Sequence, residues 1–210
     1  YRYGLAALAT TVTSAKPYFQ DLGFKINFGK SKLGRFELFG MGGTSSIDFF
    51  GAEIDSTDLF ADPTQDAYVK NQLALAGLSH FYQLDEKSYL KTTLGTTYMS
   101  NGYDQDNIIE GTSDQPERKY RATEVNDLEQ RYTLSSQYNR KFSPRFNLRA
   151  GVVNELVNLD SKVDDRDNRV ELPDANGDSI PDYFVAVRDV DETSDLLQVY
   201  AQGEYKFTDR

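Results

Sequence analysis

The chain has 210 residues, 39% hydrophobic and 27% charged, and its 33 acids against 23 bases give a net charge of −10. It has no Cys, no Trp, a single His (His80), 14 Tyr and 13 Phe. Missing thiols exclude a disulfide scaffold, a Cys-ligated zinc or iron–sulfur site and thiol catalysis. An isoelectric point near 4.6 argues against a nucleic-acid partner, which needs a basic face for phosphates, and no apolar run approaches the ~18–20 residues of a membrane-spanning helix.

Along the chain, period-two alternation over long runs replaces helical periodicity. Tyr1–Tyr3 reads as the end of a strand. Seven further strands are expected at about 18–29, 35–42, 72–84, 88–99, 129–142, 145–157 and 195–207. In the first of these, Leu22, Phe24, Ile26 and Phe28 oppose Asp21, Gly23, Lys25 and Asn27. Later strands repeat the pattern. Leu90, Thr92, Leu94, Thr96 and Tyr98 share one face, as do Phe146, Leu148, Ala150, Val152 and Leu156, and Leu197, Val199, Ala201, Gly203, Tyr205 and Phe207. Most runs exceed the ~5–6 residues usual in globular strands and match the ~9–11 of a strand tilted across a bilayer.

The connections alternate too. Gly29–Gly34, Asp85–Lys87 and Ser143–Pro144 are short, whereas Gly43–Lys70, Asn101–Asp127 and Asn158–Thr193 hold 28, 27 and 36 residues. Such one-sided long loops suit an outer-membrane barrel, with short periplasmic turns, long extracellular loops and strands apolar outside and polar inside. Phe28, Phe36, Tyr82, Leu84, Tyr89, Phe142, Phe146, Tyr205 and Phe207 flank the short turns, where an interfacial girdle belongs. The expected fold is therefore all-β: an antiparallel up-and-down meander of long strands forming part of a transmembrane β-barrel in a Gram-negative outer membrane, in contact with its lipid. Two alternatives stay open. One is a complete small barrel, adhesive or structural, whose first and last strands would pair. The other is a soluble β-sandwich binding carbohydrate, whose apolar face a second sheet would bury.

The stretches Pro17-Tyr18-Phe19-Gln20-Asp21-Leu22-Gly23-Phe24-Lys25-Ile26-Asn27-Phe28 and Gly34-Arg35-Phe36-Glu37-Leu38-Phe39-Gly40-Met41-Gly42-Gly43 resemble the barrel region of TonB-dependent outer-membrane receptors of the Bacteroidota type. So do Leu78-Ser79-His80-Phe81-Tyr82-Gln83-Leu84, Phe146–Gly151 and Val199–Phe207. The resemblance covers most strands and none of the loops. It implies a 22-stranded barrel around an N-terminal plug domain, importing a siderophore, vitamin, glycan or similar cargo with energy delivered by TonB, and in some members a surface lipoprotein partner. This chain carries no plug-like segment and no TonB-contacting box near its start, so it reads as a fragment of about a third of such a barrel. The polar-face charges Asp21, Lys25, Arg149, Glu155 and Glu204 are candidates for facing the lumen or the plug.

The sharpest local motif is Asp174-Ala175-Asn176-Gly177-Asp178-Ser179-Ile180-Pro181-Asp182. The oxygens of Asp174, Asn176, Asp178 and Asp182 suit Ca²⁺, although Ser179 stands where glycine is usual and no bidentate Glu follows. The same loop reads equally well as a solvated acidic turn. Tyr103, Tyr120, Phe49 and Phe50 are candidate ligand contacts, suited equally to packing loops together. No nucleophile motif, phosphate loop or metalloprotease motif occurs, so no enzymatic activity is expected. The three long connections carry 24 acids and 8 bases, or −16, leaving +6 on the rest. An acidic rim of that kind would favour cationic or metal-bridged ligands.

Overall fold

A computed structural model describes residues 2–3, 16–51, 62–111, 113, 116–166, 177 and 180–207. Its strands run in chain order: β1 (Arg2–Tyr3), β2 (Lys16–Ser31), β3 (Gly34–Phe49), β4 (Gln65–Asp85), β5 (Ser88–Ile109), β6 (Arg118–Lys141), β7 (Phe146–Asp165) and β8 (Val185–Tyr205). Each pairs antiparallel with the next in one sheet of order β1 to β8. No α-helix occurs among the described residues.

Tight turns fix the register at one end. Asp85 Oδ1 accepts from the Lys87 amide at 2.7 Å, closing the β4–β5 turn. Ser143 Oγ accepts from the Arg145 and Phe146 amides at 3.2 and 3.0 Å, closing the β6–β7 turn. Gly34, at φ 101, opens β3 in the left-handed region that glycine tolerates. A Cβ there would stand 2.5 Å from the Phe81 carbonyl oxygen.

Register then sorts the side chains into two faces, because directly paired residues project on the same side. One transverse row reads Ile26, Leu38, Leu78, Leu94, Leu134, Asn154 and Leu197; the next towards the short turns reads Phe36, His80, Thr92, Ser136, Val152 and Val199. Every alternating set expected to be apolar falls on this one face, and among the described residues no second layer covers it. Phe24 is 45% exposed, Leu94 58% and Val199 78%. Apart from glycines and Pro181, Ala122 is the one buried apolar residue among those described. Among the described residues no second sheet buries Leu22, Phe24, Ile26 and Phe28, as the sandwich alternative requires. The small-barrel alternative lacks its closing pair as well: β1 and β8 stand at opposite edges.

The apolar band ends in rings near the short turns. Phe36 stacks on His80 at 4.4 Å, Phe142 on Phe146 at 5.6 Å, and Tyr205 meets Phe207 at 5.1 Å. His80 Nε2 also bonds the Leu33 carbonyl at 2.6 Å. Tyr89 departs from the expected girdle. It projects on the polar face and packs on Phe81 at 4.7 Å, because its neighbour Leu90 occupies the apolar face.

The strands are longer than expected, mostly at the long-loop end; the expected 18–29 is Lys16–Ser31 and gains two residues at each end. The expected 35–42 is Gly34–Phe49, 72–84 is Gln65–Asp85, 88–99 is Ser88–Ile109, 129–142 is Arg118–Lys141, 145–157 is Phe146–Asp165, and 195–207 is Val185–Tyr205. The connections shrink to 50–64, 110–117 and 166–184. Apolar alternation stops where the band stops, yet backbone pairing needs no apolar side chain and continues beyond it. Twelve of the 24 acids assigned to loops consequently lie on strands.

Candidate functional site

Above the apolar band the same face becomes ionic. Asp66, Asp106 and Arg121 are paired across β4, β5 and β6, and Tyr68, Asp104 and Glu124 form the adjacent row. A register shift at Gln105/Asp106 brings Arg121 into line with Asp106. Arg121 binds Asp104 at 3.0 Å, Asp106 at 2.5 Å and Glu124 at 3.5 Å. Asp66, fully buried, accepts from the Gly51 amide at 2.8 Å and pairs with Lys119 at 2.7 Å. A buried carboxylate is stable only when paired and hydrogen-bonded in this way. It ties the β3–β4 connection down onto the sheet. At the other end of that connection Asp62 Oδ1 accepts from the Thr64 amide and hydroxyl at 2.9 and 2.7 Å. The Thr64 hydroxyl and amide hold the Asp62 carboxyl below its ordinary range.

The opposite, polar face carries the expected charges. Asp21, Lys25, Arg149, Glu155 and Glu204 all fall on it by register. Lys25 pairs with Glu37 at 3.1 Å, and Glu155 with Arg131 at 3.3 Å; Arg131 also holds Glu129 at 3.0 Å. Arg188 and Ser161 both donate to Asp127. Glu204 lies at the short-turn end, in a crevice of about 280 Å³ shared with Lys141, Arg145 and Lys206.

Three of the four aromatic ligand candidates also occupy the polar face. Phe49 pairs with Ala67, and Tyr103 and Tyr120 are joined through two residues that carried no sequence signal. The Tyr103 hydroxyl donates to Gln105 Oε1 at 2.9 Å, Gln105 Nε2 to Asn107 Oδ1 at 2.9 Å, and Asn107 Nδ2 to the Tyr120 hydroxyl at 3.3 Å. All four are half-buried. Asn101, one step below Tyr103 on the same face, borders a groove of about 370 Å³ that Asp21, Met41, Asn71 and Met99 also line, with Gly43 as part of its floor. Phe50 goes elsewhere and meets Tyr68 edge-on at 6.0 Å.

Of the calcium candidates, Asp174, Asn176 and Asp178 lie outside the described residues. Asp182 is described, exposed and engaged in a contact of its own. Among the described residues no three His, Cys, Asp or Glu side chains are grouped as metal ligands.

No family model matches the chain, and no curated protein does. Among solved structures, the ferric-catecholate import receptor Fiu from E. coli K12, in its open form, is similar with a TM-score of 0.60 at 10% identity. The likeness covers 93% of this chain and 34% of that receptor, so the chain spans about a third of the receptor's length. At that identity what is shared is the fold: an all-β, up-and-down antiparallel sheet like part of an import receptor's structure.

Proposed function

We propose that this chain is a stretch of barrel wall in an outer-membrane receptor of the TonB-dependent type, importing a small-molecule or glycan nutrient. The observation that carries the reading is the uncovered apolar face: a sheet of this size with one face apolar, ringed by aromatics at the short-turn end and ionic above, has no aqueous role for that face. In lipid every backbone polar group must be paired, and a sheet meets that condition when it closes into a barrel. The free edge of β8 then belongs against a further strand of the same barrel. On this reading the polar face with Asp21, Lys25, Arg149, Glu155 and Glu204 looks onto lumen and plug, the ionic strand ends stand outside the cell, and a barrel of the expected width needs its plug. Ca²⁺ at Asp174, Asn176, Asp178 and Asp182 would order that loop without taking part in transport.

These 210 residues lack cysteine, so a single cysteine can be placed at each position of this stretch, in a full-length receptor whose other cysteines, where present, are replaced. In the full-length receptor in outer membranes, Leu22→Cys, Leu94→Cys and Val152→Cys should resist a water-soluble maleimide and accept a lipid-soluble label. Val153→Cys and Gln198→Cys should do the reverse. Equal labelling on both faces overturns the membrane assignment. Nutrient accumulation that survives deletion of TonB overturns the energised-import assignment.

A further inference from the structure

We infer that the polar face of β4–β6 near the long-loop end is a binding surface for a neutral, polyhydroxylated ligand of the saccharide class. This rests on the import reading above and narrows its cargo.

The inference begins with the hydrogen-bond capacity left over. Tyr103 spends its proton on Gln105, so its oxygen still accepts. Gln105 and Asn107 each commit one amide N–H, which leaves each with another to donate. Tyr120 accepts from Asn107 and keeps its own O–H to donate. The row therefore offers an acceptor, two amide donors and a hydroxyl donor, fixed relative to one another by their own bonds. A sugar's hydroxyls both donate and accept, and its C–H faces lie well on tyrosine rings. Large amphipathic rings beside adaptable amides are the side chains that bind such surfaces at low entropic cost. The groove beside Asn101 and Asn71, at about 370 Å³, falls within the range of small-ligand sites and adds two more amides.

Charge then separates ligand classes. An anion such as a ferric catecholate needs cations to meet it. Arg131 is held by Glu129 and Glu155, Arg188 by Asp127, and Arg118 at the loop edge is engaged as well. Arg131 is shared by two carboxylates, Asp21 lines the groove and Asp165 stands in Gln105's row across Thr123, so the charge close to this surface is carboxylate, which repels an anion and whose oxygens accept from a sugar's hydroxyls. What remains between Tyr103 and Tyr120 is uncharged. The likeness to a ferric-catecholate receptor therefore extends to the fold and stops short of its ligand.

The test uses the full-length receptor, purified in detergent, against an array of neutral oligosaccharides and a soluble ferric tris-catecholate. The expected result is saturable binding of a neutral oligosaccharide that changes little between low and high salt, since no charge is paired across the contact. Gln105→Ala with Tyr120→Phe should weaken it by about tenfold or more, from two lost hydrogen bonds. Tyr68→Phe, on the opposite face, should leave it unchanged and controls for folding. Binding of the ferric complex with no saccharide bound overturns the proposal, as does no saccharide binding at all, or saccharide binding that the double variant retains. These outcomes are independent of the cysteine-labelling pattern and of TonB dependence, so the ligand class can fail while the import reading stands.

Discussion

Leu94 is the point at which the membrane reading is most exposed to refutation. It sits between Leu78 and Leu134 on the apolar face, 58% exposed, four residues from both Leu90 and Tyr98. Strand residues rise ~3.3 Å each, or ~2.3 Å along the normal at a tilt of ~45°, which puts Leu94 ~9 Å from either end of the band. An apolar band is ~25 Å tall, so Leu94 lies near its middle, where an arginine facing lipid costs ~2–4 kcal/mol and near the edges ~0–1. Leu94→Arg should therefore lower the folding equilibrium constant in lipid vesicles by about 30- to 700-fold, and Tyr98→Arg by far less. Val153→Arg supplies the control. It shares Leu94's height, through the Thr93–Ser135–Val153 row, but projects on the polar face two residues from Glu155. Unfolding of the full-length receptor in urea, followed by far-ultraviolet circular dichroism and by heat-dependent gel mobility, reads all three variants. If Leu94→Arg costs no more than Val153→Arg, the apolar face does not meet lipid and the reasoning is wrong.

Packing on the polar face gives a second prediction. A Cβ on Gly77 would stand 2.4 Å from the Phe39 ring, so Gly77→Ala should destabilise by ~1–3 kcal/mol, and in a Phe39→Ala background it should cost much less in the same assay. Asp66→Ala removes the acceptor of the Gly51 amide, and hydrogen exchange at Gly51 should quicken by about tenfold, an amount set by one lost bond. Asp66→Asn keeps an acceptor oxygen and should retain most of that protection. The pH dependence of the Asp62 turn follows from its lowered carboxyl. The turn's stabilisation is complete above the ordinary value of 3.8 and is lost as pH falls through the lower folded value. Protection of the Thr64 amide, corrected for intrinsic exchange, should hold from neutral pH to about 5 and fall away below 4; no change there would show that Asp62 does not hold the turn.

Which parts of this were readable from sequence depends on what enforces each part. Face assignment was readable because a one-residue slip would send Leu22, Phe24 and Ile26 to the polar side, and a sheet with one apolar and one polar face makes that slip costly. Tyr89 shows the same rule overlooked: its place beside a short turn suggested the girdle, while Leu90 next to it already required the opposite face. Strand length was not readable, because beyond Tyr98 the residues Ser100, Gly102, Asp104 and Asp106 lose every apolar cue while their backbones remain paired. There ion pairs such as Arg121 with Asp104 and Asp106 supply the side-chain contacts, and on the membrane reading this part of the sheet stands in water. The meeting of Tyr103 with Tyr120 was further out of reach. It depends on a register shift at Gln105/Asp106, and no spacing in the chain announces such a shift. The same register alters what the acidity means. A loop-borne rim of free carboxylates would have drawn cations, whereas six of the twelve strand-borne carboxylates, Asp66, Asp104, Asp106, Glu124, Asp127 and Asp164, pair with Lys119, Arg121, Arg188 or Lys162. On the polar face the row of Tyr103, Gln105, Asn107 and Tyr120 is uncharged, and on the proposed reading it is this row, rather than the net charge of −10, that meets the ligand.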